Sequence, residues 1–411
     1  MNNNLVNIIA YALLFSICTV RMSMALGNIS MGIALLGFAY WCYLHKETLW
    51  TRLTDRVSKR FLVVYGIFLV SFLPSVLFPE PYAPYWSSLK QFPEMLIYRA
   101  LPFFMLVLII EKKETAERLL LIFLGVEAVD SLLSVWQVYG SASLQPVKVP
   151  HLGSRGIGFG GQVLNLAALL ASLIPVTALL ILDKNINPQL KLVAYGALPC
   201  MLLGAMIGLK SRALWLILLV MLPLVSYRYA RASRKILCVV LALLVGTGVF
   251  FAANKKFMRR IKSSFNVTTN VSNTDRLWLW RSSIHMMKDH PVTGVGLGNF
   301  RFAYRDKYEL PQIKQKKLSH AHNNWMHLGA DAGIPGLLGY TFLTLWILAT
   351  TFLAWLKKKN VYDLMLFCTW VGFTAYGLID LTADASISVK LVCFLSGLIL
   401  CLKKLSESVQ Q

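Results

Sequence analysis

The chain has 411 residues, 56% hydrophobic and only 15% charged, with a mean hydropathy of +0.59. That balance excludes a soluble globular protein and predicts an all-α integral membrane protein. The net charge of +22 comes from 41 Lys+Arg against 19 Asp+Glu, and the bases fall in short runs between apolar segments. Membrane topology produces that placement; nucleic-acid binding does not require it.

Taken in chain order, the first apolar stretch has no basic leader and no small-residue cleavage site, so it reads as a retained signal-anchor helix. A crossing needs about 20 apolar residues, and the sequence predicts twelve: 5–22, 28–44, 61–79, 95–110, 118–139, 162–182, 191–208, 212–227, 235–252, 333–356, 361–380 and 386–402. The connections at 45–60, 111–118, 184–191, 228–235, 357–359 and 403–404 carry nineteen Lys/Arg and alternate as one face. Both termini are therefore expected in the cytoplasm. The other face receives 79–94, 140–162, the short turn at Lys210-Ser211-Arg212 and one large loop over 253–332. No repeat or low-complexity tract interrupts this plan, which describes a single polytopic domain over 1–411 with one elaborated loop.

Within that loop, "NTDRLWLWRSSIHMMKDHP" predicts an amphipathic helix capped by Asn273 or Thr274, with Leu277, Trp280, Ile284 and Met287 on its apolar face. Pro291 and the glycines of "GVGLGNF" end it. Gly294, Gly296 and Gly298 follow a helix and not a strand, so they read as a turn and not a dinucleotide fingerprint. The seven cysteines lie in or beside apolar segments, which predicts neither a disulfide framework nor a zinc motif.

Cations on the face that the charge rule leaves poor are the sharpest chemical signal. Arg155 in "GSRGIGFG", Lys210 and Arg212 in "GLKSRALW", and Arg276 at the head of the loop helix are all placed there. A single such arginine reads equally well as a snorkelling helix end. Several together suit a phosphorylated lipid head group, because guanidinium binds phosphate bidentately and keeps its charge.

"KLSHAHNNWMHLGADAGIPGLLGY" then sets His320, His322 and His327 before a membrane-length segment. Three readings apply: a metal site, a polar helix start capped by Asn323 or His322, or a general base. Only Asp331 is near in sequence, so no metal and no cofactor is expected. Inside the spans, Glu127 and Asp130 share a face; they read either as a proton relay or as a structural pair reached by Arg99. Lys390 is likewise expected to pair with Asp380 or Asp384.

"SRALW" opening a helix, "DRLWLWRSSIHMMKDHPVTGVGLGNF" and "HAHNNWMHLGADAGIPGLLGY", in that order over roughly 205–340, resemble the O-antigen ligase and polymerase superfamily of bacterial envelope assembly. Length and a short C-terminal tail resemble the ligases of lipopolysaccharide synthesis. The resemblance implies a metal-independent glycosyltransferase of the Gram-negative inner membrane with its active site facing the periplasm, so that 253–332 becomes a periplasmic loop. It would move O-antigen polysaccharide from undecaprenyl diphosphate to the lipid A–core oligosaccharide. Position by position, Arg212 and Arg276 match the family's functional arginines and His322 its functional histidine; His320 and His327 have no counterpart. His322 is then the expected base, Asn323 its support, and Arg212, Arg276, Arg155 and Lys210 the expected donor-diphosphate contacts. Partners would be the lipid-linked donor, the core acceptor and membrane lipids, and no nucleic acid. An O-antigen polymerase with the same donor is the near alternative. A secondary transporter of an anionic or lipid-linked solute is the distant one, and the chain shows no internal repeat to support it.

Overall fold

The computed structural model describes residues 3–140, 155–159, 163–232, 258, 263, 268, 270–315 and 318–408. All regular structure among the described residues is helical. Among the described residues, eight helices are long and apolar enough to cross a membrane, from Met24–Leu44 to Ser386–Ser408. Asn4–Thr19 and Arg212–Ser226 are apolar but shorter, and the expected span at 361–380 is the helix Val361–Gly377. The expected span at 235–252 lies outside the described residues.

Composition sorts these helices into lipid-facing and central ones. On Met24–Leu44, the residues Ile29, Ile33, Leu36 and Tyr40 recur at helical spacing and are all exposed. A bare apolar stripe of that kind is stable only against hydrocarbon. Val163–Leu182 is the opposite case: 83% of its apolar window is enclosed. It packs against Pro188–Leu203, Arg212–Ala232, Val361–Gly377 and Ser386–Ser408. Small residues permit the close approach. A Cβ on Gly372 would stand 2.4 Å from the Ala171 carbonyl oxygen, and the Ser172 hydroxyl donates to the Thr369 carbonyl at 2.8 Å. Lipid gives no hydrophobic drive for helix pairing, so such backbone proximity and hydrogen bonding take its place.

The intramembrane charges pair differently from expectation. Arg21, at the end of the first apolar stretch, enters a buried ion pair with both Glu127 and Asp130. Arg99 does not reach Asp130; it donates to the Asp384 carboxylate at 2.8 Å and carbonyl at 2.7 Å, with Glu94 at 3.4 Å. Lys390 has neither Asp380 nor Asp384 as its contact; its ammonium lies 4.3 Å from the Tyr98 ring centroid. The rule that buried charges seek partners held, but the partner's identity depends on which helices touch. The helix Asn3–Thr19 packs against Lys113–Tyr139, which brings Arg21 in.

The loop helix exists as Val271–Asp289, with one correction. Its cap is Asn270, whose side chain accepts from the Asn273 N–H, and not Asn273 or Thr274. Its buried face is Asp275, Leu279, Ser282, Ser283 and Met286, while Leu277 and Ile284 are exposed. The buried face is thus not the apolar one that periodicity picks out, because the buried polar groups have partners. The Asp275 carboxylate accepts from the Lys314 and Gln315 N–H groups at 3.1 and 3.0 Å, and the Ser282 hydroxyl donates to the Tyr308 carbonyl at 2.7 Å. A satisfied polar group is buried at little cost.

Candidate active site

The "HNN" triplet builds one half of the site. Asn323 caps the helix Asn324–Lys358, its side chain accepting from the Met326 N–H at 3.0 Å, and donates to the Leu378 carbonyl at 2.9 Å. Asn324 is buried and fully used. It donates to Tyr340 and Thr382 hydroxyls at 2.8 and 2.9 Å and accepts from the Thr382 and Ala383 N–H groups at 2.8 and 3.0 Å. The two asparagines therefore stitch the helix start to 378–383, and Asp380 arrives beside His322. Their contact, Nδ1 to Oδ1, is 2.8 Å. His322 adopts a left-handed backbone, φ 49°, and Trp280 of the loop helix donates to the Ala321 carbonyl at 3.0 Å, fixing the strand of chain between His320 and His322.

With Nδ1 engaged by a carboxylate, Nε2 of His322 is the nitrogen left to take a proton. His320 packs edge-on against His322 with ring centroids 4.1 Å apart. Burial, and then the neighbouring His322, push its pKa down to about 4. That makes His320 a poor base near neutrality. His327 is buried and turned to a different set, with Nε2 3.5 Å from Asp384 and its ring 4.8 Å from Phe300.

The glycine segment is explained by the same helix. Asp331 accepts from the Gly298 and Phe300 N–H groups at 2.9 and 2.8 Å, and the Val295 and Gly296 N–H groups donate to the Ala330 and Asp331 carbonyls. At Gly333 the backbone turns to φ 66° and breaks the helix, freeing the Ile334 N–H to donate to the Pro291 carbonyl at 2.8 Å. A side chain is strained in that conformation. "HPVTGVGLGNF" and "ADAGIPG" are thus two sides of one joint.

The arginines form the second half. Gly204–Gly208 is a single π turn, followed by Ser211 and then Arg212 at the head of its helix. Such turns occur often at functional sites. Arg212 donates to the Ser263 hydroxyl at 3.0 Å and the Asn273 side-chain oxygen at 3.3 Å. Arg155 reaches this place because its loop is pinned on three sides. The Gly156 N–H donates to the Gly208 carbonyl at 3.0 Å. Gln137 accepts from the Ile157 and Gly158 N–H groups and donates to the Gly158 carbonyl at 2.7–2.9 Å. Asp130 accepts from the Phe159 N–H. Gly158 is at φ 65°, and a Cβ there would meet Asp130 at 2.0 Å, so no larger residue fits. Of the two carboxylates, Asp130 thus helps to position this loop while both hold Arg21.

Arg155, Arg212 and Arg276 stand within electrostatic reach of one another, and Arg155 and Arg276 within reach of Tyr376. Burial, reinforced by Arg276, lowers the pKa of Arg155, yet a guanidinium stays charged at neutral pH. Three cations held together with no acid paired to them among the described residues call for an anion. Lys210 precedes them at φ 49°, with its ammonium 5.5 Å from the Tyr139 ring centroid. Tyr376 joins the two halves: its hydroxyl lies 3.2 Å from that of Ser211, while Asp380 follows one turn later.

The fold also assembles a cluster that sequence spacing hides. Ligand atoms of His320, His322 and Asp380 lie within 4.8 Å of one another, because Asp380 comes from 58 residues away. The 2.8 Å contact of His322 and Asp380 is a hydrogen-bonding geometry, and a zinc ion would need both groups aimed at it from about 2 Å. Asp380, Tyr376 and Asn324 were not singled out as site residues. The only signal was two acids in "LIDLTADAS", a short connection between apolar segments.

No curated protein matches the chain. The family described as O-antigen ligase matches residues 197–341, a stretch that holds Arg212, Arg276, His322 and Asn323. Members of that family are glycosyltransferase-like enzymes of lipopolysaccharide assembly, and the match supports a function of the O-antigen ligase or polymerase type for a multi-pass membrane protein. Over residues 197–341, well under half of its length, the chain is therefore similar to the O-antigen ligase family.

Proposed function

We propose that the chain is an O-antigen ligase, transferring polysaccharide from undecaprenyl diphosphate to a hydroxyl of the lipid A–core oligosaccharide at the periplasmic face of the inner membrane. The observation that carries the reading is the His322–Asp380 pair at 2.8 Å, joined through Tyr376 to a group of three arginines. Twelve crossings, cytoplasmic termini and a periplasmic 253–332 loop belong to the same proposal; the alternation of basic connections supports them.

The chemistry follows from the parts. The acceptor hydroxyl gives its proton to Nε2 of His322 as its oxygen bonds to the anomeric carbon. The bond from that carbon to the diphosphate oxygen breaks, and the electron pair leaves with undecaprenyl diphosphate. Direct displacement inverts the anomeric centre. Asp380 stabilises the imidazolium, and Arg155, Arg212 and Arg276 meet the charge developing on the leaving group. Lys210 and Asn323 keep supporting roles, the first as a further cation and the second by seating His322. No metal is needed in this scheme, since arginine charge takes the part a divalent ion would play. Purified protein is expected to form capped core at an unchanged rate in excess chelator. Activity that vanishes in chelator and returns with zinc or magnesium would assign the His320, His322 and Asp380 cluster to a metal instead.

A further inference from the structure

We propose that a cavity at the cytoplasmic ends of the helices Asn3–Thr19 and Lys113–Tyr139 holds the headgroup of one phospholipid, phosphatidylethanolamine. The side of the membrane rests on the topology proposed above; the headgroup chemistry does not. The cavity encloses about 310 Å³, within the usual range of small-ligand sites of about 300–1,000 Å³. Val6, Tyr11 and Ile109 give it apolar walls, and Lys112, Glu114 and Arg118 bring charge. None of its lining residues belongs to the candidate active site.

The lining charges decide the ligand class. Glu111 also lines the cavity but is engaged by Arg52, which donates to the Leu108 carbonyl as well. The side chains of Lys112, Glu114 and Arg118 have no partner among the described residues. Glu114 and Arg118 stand four apart on one helix, a spacing that ordinarily closes an ion pair, yet theirs is open. Two cations and one acid around one space suit a ligand with one phosphate and one ammonium. The Arg118 fork and Lys112 meet the phosphate oxygens, and Glu114 accepts from the ammonium, which carries three donors. A second phosphate would face the Glu114 charge, and a quaternary ammonium has no N–H to give it.

The apolar surroundings make the occupant a lipid and not a soluble phosphate. Ile8, Tyr11 and Phe15 are exposed at helical spacing on the first helix. On the second, the exposed Ile122, Val129 and Leu132 continue from Arg118. The two helices pack against each other, so both stripes lead away from the cavity into hydrocarbon, where acyl chains would cover them. Tyr11 belongs to both cavity and stripe, the place an amphipathic ring takes at the membrane interface.

The test is native mass spectrometry of the full-length protein in detergent, titrated with phosphatidylethanolamine, phosphatidylglycerol and phosphatidylcholine of matched acyl chains. Phosphatidylethanolamine is expected to bind about tenfold more tightly than either other lipid. Arg118→Gln and Lys112→Gln should each raise its Kd by about tenfold, the worth of one charge-assisted hydrogen bond. Glu114→Gln should weaken phosphatidylethanolamine and spare phosphatidylglycerol, so that the preference disappears. All three side chains are exposed, and the variants should keep the wild-type Tm. Equal binding of the three lipids, wild-type preference for phosphatidylglycerol, or affinities that ignore all three substitutions would overturn the site. Displacement of the lipid by equimolar soluble glycerophosphoethanolamine would overturn the lipid as its occupant. Polysaccharide transfer is no part of this readout, so a failed ligase reading leaves the result unchanged.

Discussion

His322→Ala is expected to reduce polysaccharide transfer by about 10²–10⁴, the usual worth of a general base, while the protein still inserts and still binds donor. Asp380→Asn should approach that loss. The substitution keeps volume but replaces the acceptor of the Nδ1 proton, so the imidazole turns or takes the other tautomer. Its effect should show in kcat and not in donor KM, and Asp380→Glu should recover part of it. His320→Ala should be milder, because burial already keeps that ring uncharged. Radiolabelled transfer by purified variants decides this. A His322→Ala enzyme working near the wild-type rate, or a dead His320→Ala beside an active His322→Ala, would remove the base from its assigned position.

Arg212→Lys and Arg276→Lys should each cost about 10²–10³ in kcat, the range for one lost charge-stabilising donor. Lysine conserves charge but loses the planar fork that meets two phosphate oxygens. Arg212 also donates to Ser263 and Asn273, so its lysine variant should lose some order in the head of the loop helix. Arg276→Lys should then be the cleaner probe. Donor titration separates the cases: a variant with full activity and unchanged donor affinity at both positions would mean that the diphosphate is held elsewhere.

Part of this site could be read from local strings. Arg212 at a helix head, Arg276 near the start of an amphipathic helix, and a histidine before an asparagine cap each declare themselves within a few residues, because a cap or a misplaced cation is a local event. Most spans were equally legible, since crossing length and apolar composition are local too. The pairings were not. Arg21 found Glu127 and Asp130 across more than a hundred residues, and Arg99 found Asp384 at a separation of 285. Asp380 could not be told from any other acid in a connection until Asn323 and Asn324 drew 378–383 onto the helix start. In the loop helix, periodicity picks out the apolar face with Leu277 and Ile284, which the structure leaves exposed, and gives no sign of the buried serines and aspartate, whose partners come from elsewhere in the loop.

The central claim is that this chain joins a lipid-linked polysaccharide to lipid A–core, and lipopolysaccharide electrophoresis of a deletion strain tests it most directly. Loss of all capped core, with full-length polymer accumulating on undecaprenyl diphosphate and rescue by the wild-type gene but not by His322→Ala, is the result predicted here. Core capped by a single repeat unit, with no long chains on the lipid carrier, would contradict it and make the protein a polymerase.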